Sequence, residues 1–157
     1  MESFDIATLR AAAPYIYAHQ GSTFVISLPA EVIASDALSD LIQDLALMQT
    51  LGIKLIIVYG TGVFNRHTLG VIKQTKMRQL QHTIGEQQTR LEALFSTGLV
   101  NTPMAGMKLT TVSGNFVVAK PIGILAGVDQ QYRGEVRRIE TTAIRQQLEI
   151  NNIVLLS

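Results

Sequence analysis

Gly60-Thr61-Gly62 is the segment whose residue types and spacing point most directly to chemistry. Two glycines around a short hydroxyl residue, after an apolar strand and ahead of a helix start, can offer several backbone N–H groups to one anion. Arg66 follows one turn later, in place to add a charge-assisted contact. The commoner cause of such a spacing is a tight strand-to-helix connection that needs positive φ and holds no ligand. No catalytic residue is assigned. The chain has no cysteine, which removes a thiolate nucleophile, disulfides and Cys-based metal sites. His19, His67 and His82 stand apart along the chain, with no acid or second histidine at a metal-ligand spacing, so no metal site is expected.

Such a turn needs a strand to end on and helices to flank it. Thr23 to Leu28 has the β-branched and aromatic density of a buried strand, stopped by Pro29. Leu38, Leu41, Ile42, Leu45 and Met48 recur at helical spacing, which predicts a helix to Thr50 with Ser35 or Asp36 as its N-cap and Leu51-Gly52 as its end. Ile53 to Tyr59 is a near-continuous apolar run, as expected of a strand covered on both faces of a parallel sheet. Strand, helix, strand with short links makes the class α/β.

Upstream, Phe4 to Ala18 reads as a helix bent or interrupted at Pro14 and ended by Gly21. Downstream, Gln74 to Ser96 has a helical apolar side, with Gly85 weakening its middle. Lys108 to Val112 and Phe116 to Ala119 read as a hairpin around Ser113-Gly114-Asn115. A short strand from Gly134 to Ile139, a helix from Thr141 to Leu148 and an apolar strand from Ile153 to Leu156 complete the pattern.

Composition bounds the class of partner. In 157 residues, 47% are apolar and 16% charged, which suits one domain with a real core and excludes a disordered chain. The formal net charge is +1, and Arg133, Arg137 and Arg138 alternate with Glu135 and Glu140. That is not the unbalanced basic stripe a nucleic-acid surface requires. The densest apolar run is far shorter than the roughly 20 residues of a membrane span, and Met1 to Asp5 is acidic where a signal peptide is basic. A cytoplasmic domain with no nucleic-acid or membrane partner is expected.

Several strings, in order, resemble the amino-acid-kinase family and most closely its N-acetylglutamate synthases. They are Ala13 to Ile16, Gly21 to Ile26, Leu51 to Gly60, Asn101 to Pro103, Val112 to Gly123, Gly127 to Asp129, Gly134 to Ile139 and Ile153 to Leu156. The resemblance implies a three-layer αβα sandwich of the carbamate-kinase type, of which residues 1–157 form the first lobe: a mostly parallel sheet with a β-hairpin. In the kinases that lobe binds the amino acid and a second lobe binds nucleotide. In the synthases the kinase-like part serves arginine feedback and oligomer assembly, and a separate domain transfers acetyl from acetyl-CoA to glutamate.

The resemblance further implies that the Gly60 turn corresponds to the one holding the substrate carboxylate in kinases. It places Ser27 where kinases carry their phosphoryl-stabilising lysine, and Pro29 and Ala30 where they carry two glycines, so phosphoryl transfer is not expected. The family's Arg-containing hairpin is reduced here to a Gln-rich stretch near Met77 to Leu80. The nucleotide lobe and acetyltransferase domain are expected to be missing, so the chain alone is expected to need no cofactor and to turn nothing over. The expected role is a regulatory or assembly lobe forming a homo-oligomer. The alternatives are an amino-acid-binding module for glutamate, N-acetylglutamate or arginine, and a degenerate relative that only oligomerises. An apolar edge beside Ile153 to Leu156 is expected to be exposed and to favour association.

Overall fold

Runs of β-branched and aliphatic side chains build a parallel sheet, and amphipathic helices close it. The computed structural model describes residues 6–61, 70–97, 102 and 104–157. The element order is α1 (Ile6–His19), β1 (Thr23–Leu28), α2 (Ala30–Ala34), α3 (Leu38–Thr50), β2 (Lys54–Tyr59) and α4 (Gln74–Thr97). Then follow β3 (Thr111–Ser113), β4 (Val117–Pro121), β5 (Ile124–Leu125), β6 (Val128–Asp129), β7 (Gly134–Ile139), α5 (Thr141–Glu149) and β8 (Ile153–Leu156). The main sheet has four parallel strands in the order β1-β2-β8-β3. The pairs β4-β7 and β5-β6 are antiparallel.

The sheet separates two cores. On one face Leu55, Ile57, Ile153 and Leu155 meet Leu38, Ile42 and Leu45 of α3 and Leu91 and Phe95 of α4. On the other, Val154 meets Ile144 and Leu148 of α5 and Phe116. Helices on both faces of a parallel sheet make the three-layer αβα sandwich. The chain steps from β1 to β2 to β3 with its helices on one face and returns to β8 with α5 on the other, which keeps one crossover hand.

Three expectations change. Ser113-Gly114-Asn115 does not turn a hairpin: β3 pairs in parallel with β8, while β4 pairs with β7. Burial of Phe116 decides this, drawing the chain into the α5 core, and a Cβ on Gly114 would stand 3.3 Å from the Phe116 ring. Neither Ser35 nor Asp36 caps α3. The unforeseen helix α2 takes Ser35 as its C-cap, with the Ser35 hydroxyl donating to Val32 O at 2.8 Å, and Ala37 precedes α3 without a side-chain cap. The strand Ile153–Leu156 is no edge, since it lies between β2 and β3 with Ile153, Val154 and Leu155 fully buried. Pro14 and Gly85 each stay inside a single assigned helix, α1 and α4.

Candidate functional site

In open α/β sheets, ligands use the crevice at the carboxyl ends of strands whose connections depart to opposite faces. Here β2 leads to α4 on one face and β3 leads to α5 on the other, with the end of β8 between them. Tyr59, Ser113 and Leu156 close these strands at one edge, followed by Gly60, Gly114 and Ser157.

Gly60 follows Tyr59 directly and is buried. Its φ lies outside the left-handed region, and a Cβ built on it would meet nothing within 4 Å. The tight-connection reading, which requires positive φ, therefore does not account for a glycine at this position. Crowding by the described residues does not account for it either. Among the described residues, nothing beyond its chain neighbours fills the place a side chain would take there, at the carboxyl edge beside half-buried Thr61. Gly62 and Arg66, the other two members of the expected site, lie outside the described residues, as does His67.

A polar network that sequence reasoning missed runs along this edge. The Tyr59 hydroxyl donates to Gln88 Oε1 at 3.5 Å, and Gln88 Nε2 donates to Glu92 Oε1 at 3.0 Å. The Ser113 hydroxyl donates to the same Glu92 oxygen at 2.9 Å. Burial raises the Tyr59 phenol above its ordinary pKa of 10.0; a hydrogen bond with the Ser157 side chain opposes this, and the Glu92 carboxylate adds to it. The phenol thus stays a neutral donor across physiological pH. The sequence offered one cue: Gln88 and Glu92 are an i,i+4 pair flanking Leu91, the most deeply buried residue of α4.

The turn after β1 has other chemistry. Pro29, at φ −61° and ψ 151°, starts α2 and accepts bonds from Val32 and Ile33 N–H at 3.1 Å each. It has no N–H to offer an anion. Ser27 is exposed on β1. Elsewhere, His19 makes an edge contact with the Phe24 ring, and His82 faces Glu86 on the outer surface of α4 at 3.4 Å. Among the described residues no cluster of three metal-ligating side chains occurs, and no helix is long and apolar enough to cross a membrane.

A separate hollow of about 210 Å³ lies between α2 and α4, lined by Ala30, Ile33, Thr83, Gln87 and Arg90 among others. Its polar groups give it little to recognise a ligand with. The Gln87 amide oxygen is shut off from solvent without a partner, and Arg90 already donates to Ser35 O at 3.3 Å. The carboxyl edge, where the strand ends and the network converge, is the candidate site.

Residues 22–157 match the Amino acid kinase family, and the chain belongs to that family. The matched part of its relatives is the kinase-like domain of the N-acetylglutamate synthases. The chain is 40% identical over 161 residues to the amino-acid acetyltransferase of Vibrio vulnificus (strain CMCP6), covering 94% of this chain and 36% of that protein. The amino-acid acetyltransferase of Photobacterium profundum is 39% identical, with the same coverage. The fold superposes with TM-score 0.84 on N-acetylglutamate synthase from Neisseria gonorrhoeae complexed with coenzyme A and L-arginine, at 32% identity, covering 99% of this chain and 39% of that one. The complex of that enzyme with coenzyme A and N-acetyl-glutamate gives TM-score 0.82 at 31% identity, covering 99% of this chain and 37% of that one. The chain spans little more than a third of the length of these relatives.

Proposed function

We propose that residues 1–157 act as the first lobe of a synthase-type amino-acid-kinase domain, binding an amino acid at the Gly60-Thr61 turn as a regulatory or assembly lobe. The observation carrying this is Gly60, buried at the carboxyl edge with neither a backbone angle nor a neighbour among the described residues that requires glycine. The relatives crystallised with L-arginine or N-acetyl-glutamate support the ligand class. Gly62 and Arg66 belong to the same reading, extending the turn's amides and supplying a guanidinium for the carboxylate. No acetyl- or phosphoryl-transfer step is assigned to any residue of this chain.

Calorimetry with L-arginine, L-glutamate and N-acetyl-L-glutamate tests the turn, with Gly60→Ala as the variant. Alanine at Gly60 meets no strained φ and no clash with the described residues. Its expected effect on folding is neutral to about 1 kcal/mol stabilising, from reduced unfolded-state entropy. Loss of the binding heat with an unchanged or raised melting temperature is the expected result. Silence of the wild-type chain toward all three ligands at millimolar concentration overturns it.

Self-association belongs to the same proposal. It draws on α1, which buries no residue and leaves Tyr15 and Tyr17 72% and 85% exposed, more apolar surface than a lone helix tolerates without cost. Light scattering should give a mass of at least a dimer that reverts to monomer in Tyr15→Ser/Tyr17→Ser. A wild-type monomer at every concentration is the result against it.

A further inference from the structure

Glu92 is held in a way that packing alone does not require. Its Oε1 accepts both hydrogen bonds, from Gln88 Nε2 at 3.0 Å and Ser113 Oγ at 2.9 Å. No hydrogen bond to Oε2 occurs among the described residues. No Lys, Arg or His pairs with it there either: the ion pairs join His82 with Glu86, Lys120 with Glu135 and Arg138 with Glu140. Glu92 is half-exposed, and both of its protein donors are neutral.

Glu92 is held through Oε1 by residues at the ends of β2 and β3, while Oε2 has no hydrogen bond among the described residues. That is the arrangement of a group prepared to receive a donor from outside, and its charge selects a cationic one. We infer that Glu92 accepts a cationic nitrogen of the amino acid bound at the turn, so that the site prefers ligands with a free ammonium or guanidinium over an N-acylated acid lacking both. The inference rests on the reading of Gly60-Thr61 as the ligand turn. Gln88 and Ser113 are positioning residues, and Tyr59 sets Gln88.

Three probes separate the chemistry. L-glutamate offers an α-ammonium, N-acetyl-L-arginine only a guanidinium, and N-acetyl-L-glutamate neither. At least one of the first two should bind tenfold or more tightly than the third, and whichever does identifies the nitrogen. Glu92→Gln keeps the acceptor for Gln88 and Ser113, so the fold and melting temperature should hold. It should weaken the cationic probe roughly 10- to 100-fold, the worth of one charge-assisted hydrogen bond, and leave N-acetyl-L-glutamate unweakened. Glu92→Asp, with the charge retained, should restore part of the preference. N-acetyl-L-glutamate binding as tightly as both others, or a preference surviving in Glu92→Gln, overturns the inference. Binding that depends on Gly60 but not on Glu92 sinks the inference alone, and no binding by any probe sinks the turn assignment with it.

Discussion

Leu155→Ala is expected to lower the stability of the fold by about 3–5 kcal/mol, a large share of the roughly 5–15 kcal/mol a domain possesses. The reason is position. Leu155 is 1% exposed, in register with Ile57 on β2 and Ser113 on β3, and packed into the core beneath α3 and α4. Truncation removes apolar contact on a strand bonded on both sides, where neighbours cannot collapse into the space without breaking the ladders. Urea titration should show a lower midpoint with an unchanged slope. The control is Leu125→Ala on β5, where the side chain is already half exposed and the expected change is within about 0.5 kcal/mol. Equal and small effects of the two substitutions would mean that β8 does not lie inside the sheet.

That contrast also marks what the residue order could and could not reveal. A period of two or an unbroken apolar run reports local exposure, so β1, β2, β7 and β8 were legible from Thr23-Leu28, Ile53-Tyr59, Gly134-Ile139 and Ile153-Leu156. Neighbours in the sheet are a tertiary property. Lys108 to Ala119 looks like two strands around a turn, yet Thr111, Val112 and Ser113 pair with residues 153–155, because burying Phe116 against Ile144 and Leu148 outweighs local turn preference. Ser35 illustrates the same limit at a helix end. Its hydroxyl suits an N-cap, but Ala30 to Ala34 turn helical first and claim it.

The site divides along the same line. The place of Gly60-Thr61 at the carboxyl end of β2 was readable, because the apolar run before it stops at the glycine. Gln88 and Glu92 were not, since in a polar helix they resemble solvated residues, and only the seating of α4 across the ends of β2 and β3 brings them to Tyr59 and Ser113.

That seating is itself testable through Phe95→Ala, for which a loss of about 3–5 kcal/mol is expected. α4 is 24 residues long but buries only Gln87, Leu91 and Phe95, all in its second half. Phe95 and Leu91 are 2% and 0% exposed within the same core as Leu55, Ile57 and Leu155. Leu80, in the first half, is only partly buried and lies outside that core, so Leu80→Ala should cost well under half as much. Hydrogen exchange should report the same asymmetry, with amides of residues 87–97 protected more strongly than those of 74–83. Because Gln88 and Glu92 flank Leu91 on the half of α4 that Phe95 holds down, Phe95→Ala should also weaken amino-acid binding at temperatures where the domain remains folded. A variant that loses stability yet keeps full affinity would show that the network holds α4 at the strand ends without its apolar anchor. Stability and recognition would then reside in different contacts of the same helix.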